Sequence, residues 1–337
     1  MVLDFNQIKA ITCGAVRICQ SDDGIRFYRF TQEQHQLYSQ KVIGLFEKSQ
    51  ATAGVKLCFK TDSTKLFFKA LFQNAYSRTY FSVDVFVDDK PVGYLDNFSD
   101  REIPQDYSNI RFPVGEYSKR FDLGEGIKTV TVHLPWNKKV ALQELSLDDG
   151  AFVEPVKPEK KLLAFGDSIT QGFDSLRPSR RYISRLADAL NAQEFNRAVG
   201  AEHYEPNLVA LKEDFVPDYI VVAYGTNDWS SSDPDTFNAK CKAFYANLNK
   251  NYPGVKTFAI SPIWRTNVDE VRAFGSFFDI EKGIREASAG MDNVTVIPGI
   301  DLIPHDVKYF GDYGLHPNAE GFDHYFANLW AIIENNR

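Results

Sequence analysis

Cysteine and long apolar runs are both scarce in this chain of 337 residues. Its four cysteines show no CxxC spacing and are too few for a disulfide framework in a protein of this size. They are therefore predicted to be reduced thiols. No apolar run approaches the roughly eighteen residues needed to cross a bilayer, so no membrane span is predicted.

Targeting and metal-binding motifs are also missing. The first twenty residues carry a lone Lys9 and a broken apolar pattern, which does not predict a signal peptide. The expectation is a cytoplasmic protein, with earlier removal of a leader as the alternative. Because neither an HExxH motif nor a Cys/His cluster occurs, no metal or other cofactor is predicted.

Positive charge is in deficit, with 38 Lys and Arg against 45 Asp and Glu and a net charge of −7. Nucleic acid or an anionic membrane as the main partner would require a basic face, so both are excluded as predicted partners. The hydrophobic and charged fractions, 44% and 25%, are those of an ordinary globular protein. The sequence does not predict the oligomeric state.

The first half of the chain has the pattern of β-structure. Apolar and polar residues alternate over four segments: 55–60, 80–87, 128–134 and 140–147. Alternation with a period of two is typical of strands with one buried face, so residues 1–153 are predicted to form an all-β sandwich of jelly-roll type. Residues 154–161, with two prolines and several charges, are predicted to form a linker.

The second half, residues 162–337, has a different period. Apolar runs at 162–165, 219–223, 257–260 and 294–297 alternate with helical stretches at 181–190, 236–251, 268–289 and 319–335. Residues 194–198 are a further candidate strand. Apolar strands that alternate with helices predict an α/β domain with three layers, in which helices cover both faces of a parallel sheet.

The strand predicted at 162–165 ends in the turn Gly166-Asp167-Ser168-Ile169-Thr170. Open α/β sheets hold their ligands at the carboxyl ends of strands, which is where a serine nucleophile would lie. Such a serine needs a base, a group that orients the base, and donors for the oxyanion. Ser168 is therefore a candidate nucleophile.

His316 is the best candidate for the base. It lies in the turn-rich block 312–318, just before a predicted helix, and an imidazole can accept the serine proton and return it to the leaving group. His203 and His305, which are predicted to lie in loops, remain alternatives.

Asn227 is a candidate oxyanion donor. It follows the strand predicted at 219–223, and a neutral amide can stabilise a developing negative charge by about 3 kcal/mol. The alternative is that Asn227 caps a helix, although Ser232 or Asp233 is better placed to cap a helix that begins near residue 235. Backbone N–H groups of Ser168 and of the turn 199–201 are further candidate donors.

The sequence blocks that contain Ser168, Gly200, Asn227 and His316 resemble, in order, the conserved blocks of the SGNH (GDSL-type) hydrolases. These are serine esterases and lipases on a flavodoxin-like α/β sheet. The resemblance covers about residues 162–335. It implies Ser168 as nucleophile, His316 as base, and an oxyanion hole made by Asn227 and the N–H groups of Ser168 and Gly200. A β-sandwich before such a domain is similar to two-domain esterases that remove acetyl groups from sugars.

Two positions depart from the family pattern. The family places its aspartate three residues before the histidine, but Tyr313 stands there, and Asp312 lies four residues before His316. Asp312 is the favoured orienting group, and a Ser-His dyad is the alternative. The family spacing also allows Ala201 instead of Gly200 as the oxyanion donor.

Substrate contacts are predicted at Trp264 and Arg265, which follow the strand at 257–260. An indole can stack on a sugar ring, and an arginine can bind a carboxylate or the acidic protein surface. The alternative for Trp264 is simple packing at the rim of the site. Phe274, Phe277 and Phe278 have helical spacing and are predicted to be core or interface residues.

Together these features predict a serine esterase that hydrolyses short acyl groups through an acyl-enzyme. No long apolar tunnel is evident, which favours acetyl over fatty acyl esters, and the family resemblance suggests a carbohydrate as the alcohol. The predicted partner is therefore a small-molecule or oligosaccharide ester. A lipase or thioesterase of the same family and a non-catalytic carbohydrate-binding protein are the alternatives.

Overall fold

A computed structural model describes residues 1–100, 103–104 and 107–335 of the chain. An amino-terminal β domain is followed by an α/β domain with a parallel sheet, as predicted. None of the helices in these ranges is long and apolar enough to cross a membrane.

Two antiparallel sheets form the β domain. Their strands are β1 (Thr12–Cys13), β2 (Arg17–Ser21), β3 (Gly24–Tyr28), β4 (Lys56–Thr61), β5 (Lys65–Asn74), β6 (Ser82–Val87), β7 (Lys90–Asp96), β8 (Gly115–Asp122), β9 (Lys128–His133), β10 (Lys138–Leu147) and β11 (Glu154–Pro155). One sheet has the order β1-β4-β9-β6-β7, with β11 paired to β4, and the other has the order β2-β3-β10-β5-β8. Leu57 and Val83 of the first sheet and Phe68 and Leu145 of the second share one core, which makes this domain a sandwich.

Three short helices interrupt the segment predicted to be entirely β. They are α1 (Phe5–Ile11), α2 (Gln32–Ser39) and α3 (Ile43–Ser49). The first two begin at capping boxes, in which Asp4 pairs with Gln7 and Thr31 pairs with Gln34. A capping box is a local signal that the sequence contains, but the alternation of apolar and polar residues does not reveal the helices that these boxes begin.

The α/β domain is built on five parallel strands: β12 (Lys160–Gly166), β13 (Ala192–Asn196), β14 (Tyr219–Ala223), β15 (Lys256–Ile260) and β16 (Val294–Ile297). Its helices are α4 (Ser168–Gln171), α5 (Tyr182–Ala189), α6 (Pro206–Ala210), α7 (Thr226–Ser231), α8 (Pro234–Asn251), α9 (Asp279–Ala287) and α10 (Ala319–Glu334). The strand order β13-β12-β14-β15-β16 is the flavodoxin-like order, and separate apolar cores lie on the two faces of the sheet.

The helix predicted over residues 268–289 is much shorter in the structure. Only α9 is helical, and the residues before it form turns, with Gly275 at φ 111°. Phe274 and Phe277 are buried in the core as predicted, but Phe278 is 56% exposed. A glycine in the left-handed region explains why the apolar spacing does not continue as a helix.

Half of the predicted linker 154–161 lies within secondary structure. Its first two residues form β11, and its last two begin β12. The N–H of Val156 also donates to the carbonyl of Cys58, so the chain remains attached to the β domain until just before the parallel sheet begins.

A buried arginine joins the two domains. Arg29, directly after β3, is fully buried and donates to the carbonyl oxygens of Ala51 in its own domain (2.5 Å) and of Asn196 (2.8 Å) and Ala198 (3.0 Å) in the other. Burial, followed by repulsion from Arg197, lowers the pKa of Arg29 to about 9. The carbonyl oxygens at the domain interface therefore stabilise the positive charge of the Arg29 guanidinium.

We expect Arg29→Met to destabilise the protein strongly. Each buried carbonyl left without a donor costs about 1–3 kcal/mol, and at least three lose their donor. Urea and thermal unfolding measure the effect. Arg120→Met, at an exposed arginine on β8, is the matched control. An Arg29→Met protein that unfolds like this control would contradict the proposed role of the contact.

Candidate active site

Three neighbouring strands bring the predicted active-site groups to one edge of the parallel sheet. Ser168 begins α4 immediately after β12, and Asn227 lies in the first turn of α7 after β14. Gly200 and Ala201 lie in the turn after β13. Because β12 lies between β13 and β14, these three loops are adjacent at the point where the strand order reverses.

Ser168, His316 and Asp312 form a continuous chain of hydrogen-bond contacts. The Ser168 Oγ lies 2.8 Å from His316 Nε2, and His316 Nδ1 lies 2.5 Å from Asp312 Oδ2. With a proton on Nδ1, the ring donates to Asp312 and can accept from the serine hydroxyl. Tyr313 has φ 61° and a largely exposed side chain, so it does not take the orienting position.

The backbone fixes the orientation of the Asp312 carboxylate. The N–H groups of Leu315 and His316 donate to its Oδ1 at 3.0 and 2.9 Å, which leaves Oδ2 for the imidazole. Burial alone would raise the pKa of Asp312. The hydrogen bonds from the His316 ring and backbone outweigh burial and hold this pKa well below its ordinary value. Asp312 therefore stays ionised at neutral and mildly acidic pH.

Two backbone N–H groups beside Ser168 are free to donate. Among the residues that the structure describes, neither the Ser168 N–H nor the Ala201 N–H has a hydrogen-bond partner. Ala201 has φ 68°, a conformation that is uncommon for a residue other than glycine. The N–H of Gly200, by contrast, donates to Gln171 Oε1 at 2.8 Å. This differs from the prediction for Gly200, and the occupied donor favours the alternative, Ala201.

Asn227 is tied to the same turn. Its Nδ2 donates to the carbonyl of Glu202 at 2.9 Å, which places the amide beside Ala201 and leaves its second hydrogen available. Asn227 does not cap α7, because Gly225 is the N-cap, and Asp233 caps α8.

A buried glutamine, which sequence reasoning missed, supports the loop after β13. Gln171, the last residue of α4, accepts from Gly200 and donates to the carbonyl of Trp136 in the β domain at 3.2 Å. It therefore links the helix that carries Ser168 to both the turn at Gly200 and the other domain.

An arginine from the β domain, also missed, lies against the Asp312–His316 pair. Arg78 donates to the fully buried Asp174 through Nε (2.8 Å) and one terminal nitrogen (2.9 Å). The same terminal nitrogen lies 3.6 Å from Asp312 Oδ2 and 3.4 Å from His316 Nδ1. Tyr80, also from the β domain, donates to Asp174 Oδ1 at 2.9 Å. Local sequence carries no signal for these contacts.

Asp174, Asp312 and His316 are also close enough together to suggest a cation site. The Arg78 guanidinium, however, already binds Asp174 and faces Asp312. The positive charge that balances these carboxylates is therefore supplied by a side chain of the protein itself.

Asp167, which precedes Ser168, has a structural position. It is buried, it is the N-cap of α4, and its side chain accepts from the N–H of Ile169 at 3.0 Å. Burial raises its pKa to about 6.

Trp264 packs at the rim of the sheet edge. Its ring stacks on His305, with centroids 5.4 Å apart, and lies at a similar distance from Phe310. These contacts favour packing, the alternative given for Trp264. His203, the other alternative base, lies 2.9 Å from the hydroxyl of Ser231.

Arg265 is occupied by contacts with α7. One terminal nitrogen lies 3.0 Å from both Thr226 Oγ1 and Ser230 Oγ, and its Nε donates to Asn267. The structure thus places Arg265 as a support for the helix that carries Asn227.

A family model described as the GDSL-like lipase/acylhydrolase family matches residues 164–324, which include Ser168, Asn227 and His316. The α/β domain belongs to this family. No curated protein matches the sequence.

Solved structures are similar to the whole two-domain chain. The salicylyl-acyltransferase SsfX3 from a tetracycline biosynthetic pathway has a TM-score of 0.80 at 21% identity, covering 96% of this chain and 94% of its own. A candidate GDSL-like lipase from Bacteroides ovatus has a TM-score of 0.77 at 17% identity, and the match covers 99% of this chain and 97% of the lipase. A family two carbohydrate esterase from Clostridium thermocellum in complex with cellohexaose has a TM-score of 0.65 at 16% identity, and the match covers 96% of this chain and 98% of the esterase. These similarities show a shared fold, with a β domain before the GDSL-type domain.

We expect Asp312→Asn to lower kcat for ester hydrolysis by about 10²- to 10⁴-fold. The backbone donors at Oδ1 would hold the amide oxygen there, so the amide nitrogen would face His316 Nδ1. The imidazole would then carry its proton on Nε2 and could not accept from Ser168. Steady-state kinetics measure the loss, with the exposed Asp292→Asn as control. A near-neutral effect would support the dyad.

We expect Arg78→Met to move the acidic limb of the kcat/KM–pH profile upward by about 0.5–1 pH unit. Removal of the cation leaves Asp174 unpaired, 3.8 Å from His316 Nδ1, which favours the protonated ring and so loses the base at a higher pH. Arg78→Lys keeps the charge and should lie closer to wild type. A loss of kcat without any displacement of the profile would indicate a purely structural role.

Proposed function

We propose that the protein is a serine esterase that removes short acyl groups, acetyl foremost, from a carbohydrate. The observation that carries this proposal is the hydrogen-bonded chain from Ser168 through His316 to Asp312. It supports catalysis over a purely carbohydrate-binding role, because a hydrogen-bonded Ser–His–Asp arrangement supplies a nucleophile, a base and an orienting group together.

The proposed reaction has two steps. Ser168 Oγ attacks the ester carbonyl carbon while its proton passes to His316 Nε2, and Asp312 stabilises the resulting imidazolium. The N–H groups of Ser168 and Ala201 and the Asn227 amide stabilise the tetrahedral oxyanion. The intermediate collapses to an acyl-enzyme as the alcohol leaves with the proton from Nε2. A water molecule then gives a proton to His316 and attacks the acyl carbon. His316 returns this proton to Ser168 Oγ as the bond between Oγ and the acyl carbon breaks, which releases the acid and restores the serine.

The lining of the cleft next to the proposed catalytic groups favours a polar alcohol. The large cleft beside Arg78 is lined chiefly by polar and charged side chains, which suits a sugar better than a lipid. The Clostridium thermocellum esterase, whose structure contains cellohexaose, has the same two-domain fold. These features support a carbohydrate ester over a lipid or thioester substrate.

Ester hydrolysis tests the proposal directly. With p-nitrophenyl esters from acetate to octanoate, we expect the highest kcat/KM for acetate and a fall of at least about 10³-fold in kcat for Ser168→Ala. The fall is expected because the acyl-enzyme cannot form without the Ser168 hydroxyl. Release of acetate from acetylated sugars, measured with the same two proteins, extends the test to the natural class of alcohol.

A matched control is Ser179→Ala, at a serine of the same domain whose hydroxyl contacts Asp84 rather than a histidine. A preference for octanoate would overturn the short-acyl assignment. Absence of any Ser168-dependent hydrolysis would leave the carbohydrate-binding function as the better explanation.

A further inference from the structure

A cleft with a volume of about 820 Å³ opens on the β-domain side of the catalytic centre. Its walls include Lys48, Tyr76, Ser77, Arg78, Arg111 and Phe173. The volume lies within the range of small-molecule sites, about 300–1,000 Å³. All of these residues except Phe173 come from the β domain, so the β domain forms most of the described wall.

Three contacts connect this cleft to the proposed catalytic groups. The ring of Phe173 stacks on the His316 imidazole, with centroids 5.2 Å apart. Arg78, in the same wall, lies 3.4 Å from His316 Nδ1. Lys48 Nζ donates to the carbonyl of Gly200 at 3.0 Å, next to the proposed oxyanion donor Ala201. The cleft therefore adjoins the position that an ester held at Ser168 would occupy.

The cleft is basic although the whole chain carries a net charge of −7. Arg78 is neutralised by Asp174, and the carboxylate of Glu47 in the wall is paired with Lys139 at 2.6 Å. For Lys48 and the exposed Arg111, by contrast, no carboxylate of the described residues lies within ion-pair distance. Burial lowers the pKa of Lys48, and a bound anion would offset that desolvation.

An aromatic side chain and a free hydroxyl complete the wall. Tyr76 is 64% exposed, lies 6.0 Å from Lys48 Nζ, and has φ 52°, a strained conformation for a residue other than glycine. Such strain is concentrated at binding and catalytic sites. The neighbouring Ser77 Oγ is buried and has no hydrogen-bond partner within the described part of the chain. An exposed aromatic face suits a sugar ring, and an unpartnered hydroxyl suits a ligand oxygen.

We propose that the cleft binds the alcohol part of the substrate and that this alcohol is a sugar acid. Its carboxylate would bind the cations Lys48 and Arg111, and its ring would pack on Tyr76, with the acyl ester at Ser168. This proposal rests on the proposed esterase function and narrows its substrate to esters of uronic acids.

The kinetic test compares two substrates that differ only in the carboxylate, an acetylated methyl glucuronoside and the matching acetylated methyl glucoside. We expect wild type to favour the glucuronoside in kcat/KM by about tenfold, mainly through KM, because a hydrogen bond to a charged group contributes about that factor. The ratio of the two kcat/KM values should fall several-fold in Lys48→Met and in Arg111→Met. Lys48→Arg should largely keep it.

Lys119→Met, at an exposed lysine on β8 whose ammonium contacts the carbonyl of Tyr94, is the matched control and should leave the ratio unchanged. A wild-type ratio at or below one, or a ratio unaffected in both cleft variants, would overturn the proposal while Ser168-dependent hydrolysis still supported the esterase. An acetylated glucose 6-phosphate tests the kind of anion. A stronger preference for that ester would overturn the assignment to carboxylates.

Binding without turnover separates the subsite from the reaction. Calorimetric titration of Ser168→Ala with methyl glucuronoside and with methyl glucoside should show tighter binding of the glucuronoside, and Lys48→Met in the same background should remove the difference. Equal binding of both sugars would overturn the subsite. Tighter binding of the glucuronoside by a protein that hydrolyses no ester would overturn the esterase but leave an anion-binding cleft.

Discussion

The proposed catalytic centre depends on the ion pair between Arg78 and Asp174, which joins the two domains beside it. Asp174 is fully buried, and a buried carboxylate requires a compensating cation or several donors. The β domain provides both, through Arg78 and the hydroxyl of Tyr80. Because the same guanidinium faces Asp312 and His316, the electrostatic environment of the GDSL-type domain is set partly by residues outside it.

A second set of contacts positions the loops rather than the charges. Arg29 holds the carbonyl oxygens of the segment after β13, and Gln171 accepts from the N–H of Gly200 within the same segment. With Asn227 bonded to the carbonyl of Glu202, the turn that carries Ala201 is held from three sides. This rigidity is what an oxyanion hole requires, since donors that are already oriented need no reorganisation during the reaction.

Much of this architecture could be predicted from the sequence, because the signals are local. Apolar runs predict four of the five strands of the parallel sheet, and the strand ends then place Ser168 and Asn227. The family resemblance favours Asp312 as the partner of His316, although it stands one position further from the histidine than the family pattern places its aspartate. The direction of a backbone N–H is not encoded by residue type, so the choice between Gly200 and Ala201 needed the structure. Arg78 could not be found, since its partner Asp174 lies 96 residues away in the other domain.

Most of the cleft wall belongs to the β domain, which also supplies the arginine that lies against the proposed catalytic pair. If the cleft binds the alcohol as proposed, exchange of the β domain for another one would alter both the bound alcohol and the charge beside His316 in a single event. A replacement without a cation at the position of Arg78 would leave the buried Asp174 without its ion-pair partner, whatever new surface it brought. Under this proposal, the substrate range can change by substitutions along the cleft, whereas exchange of the whole domain is constrained by the need to pair the buried Asp174.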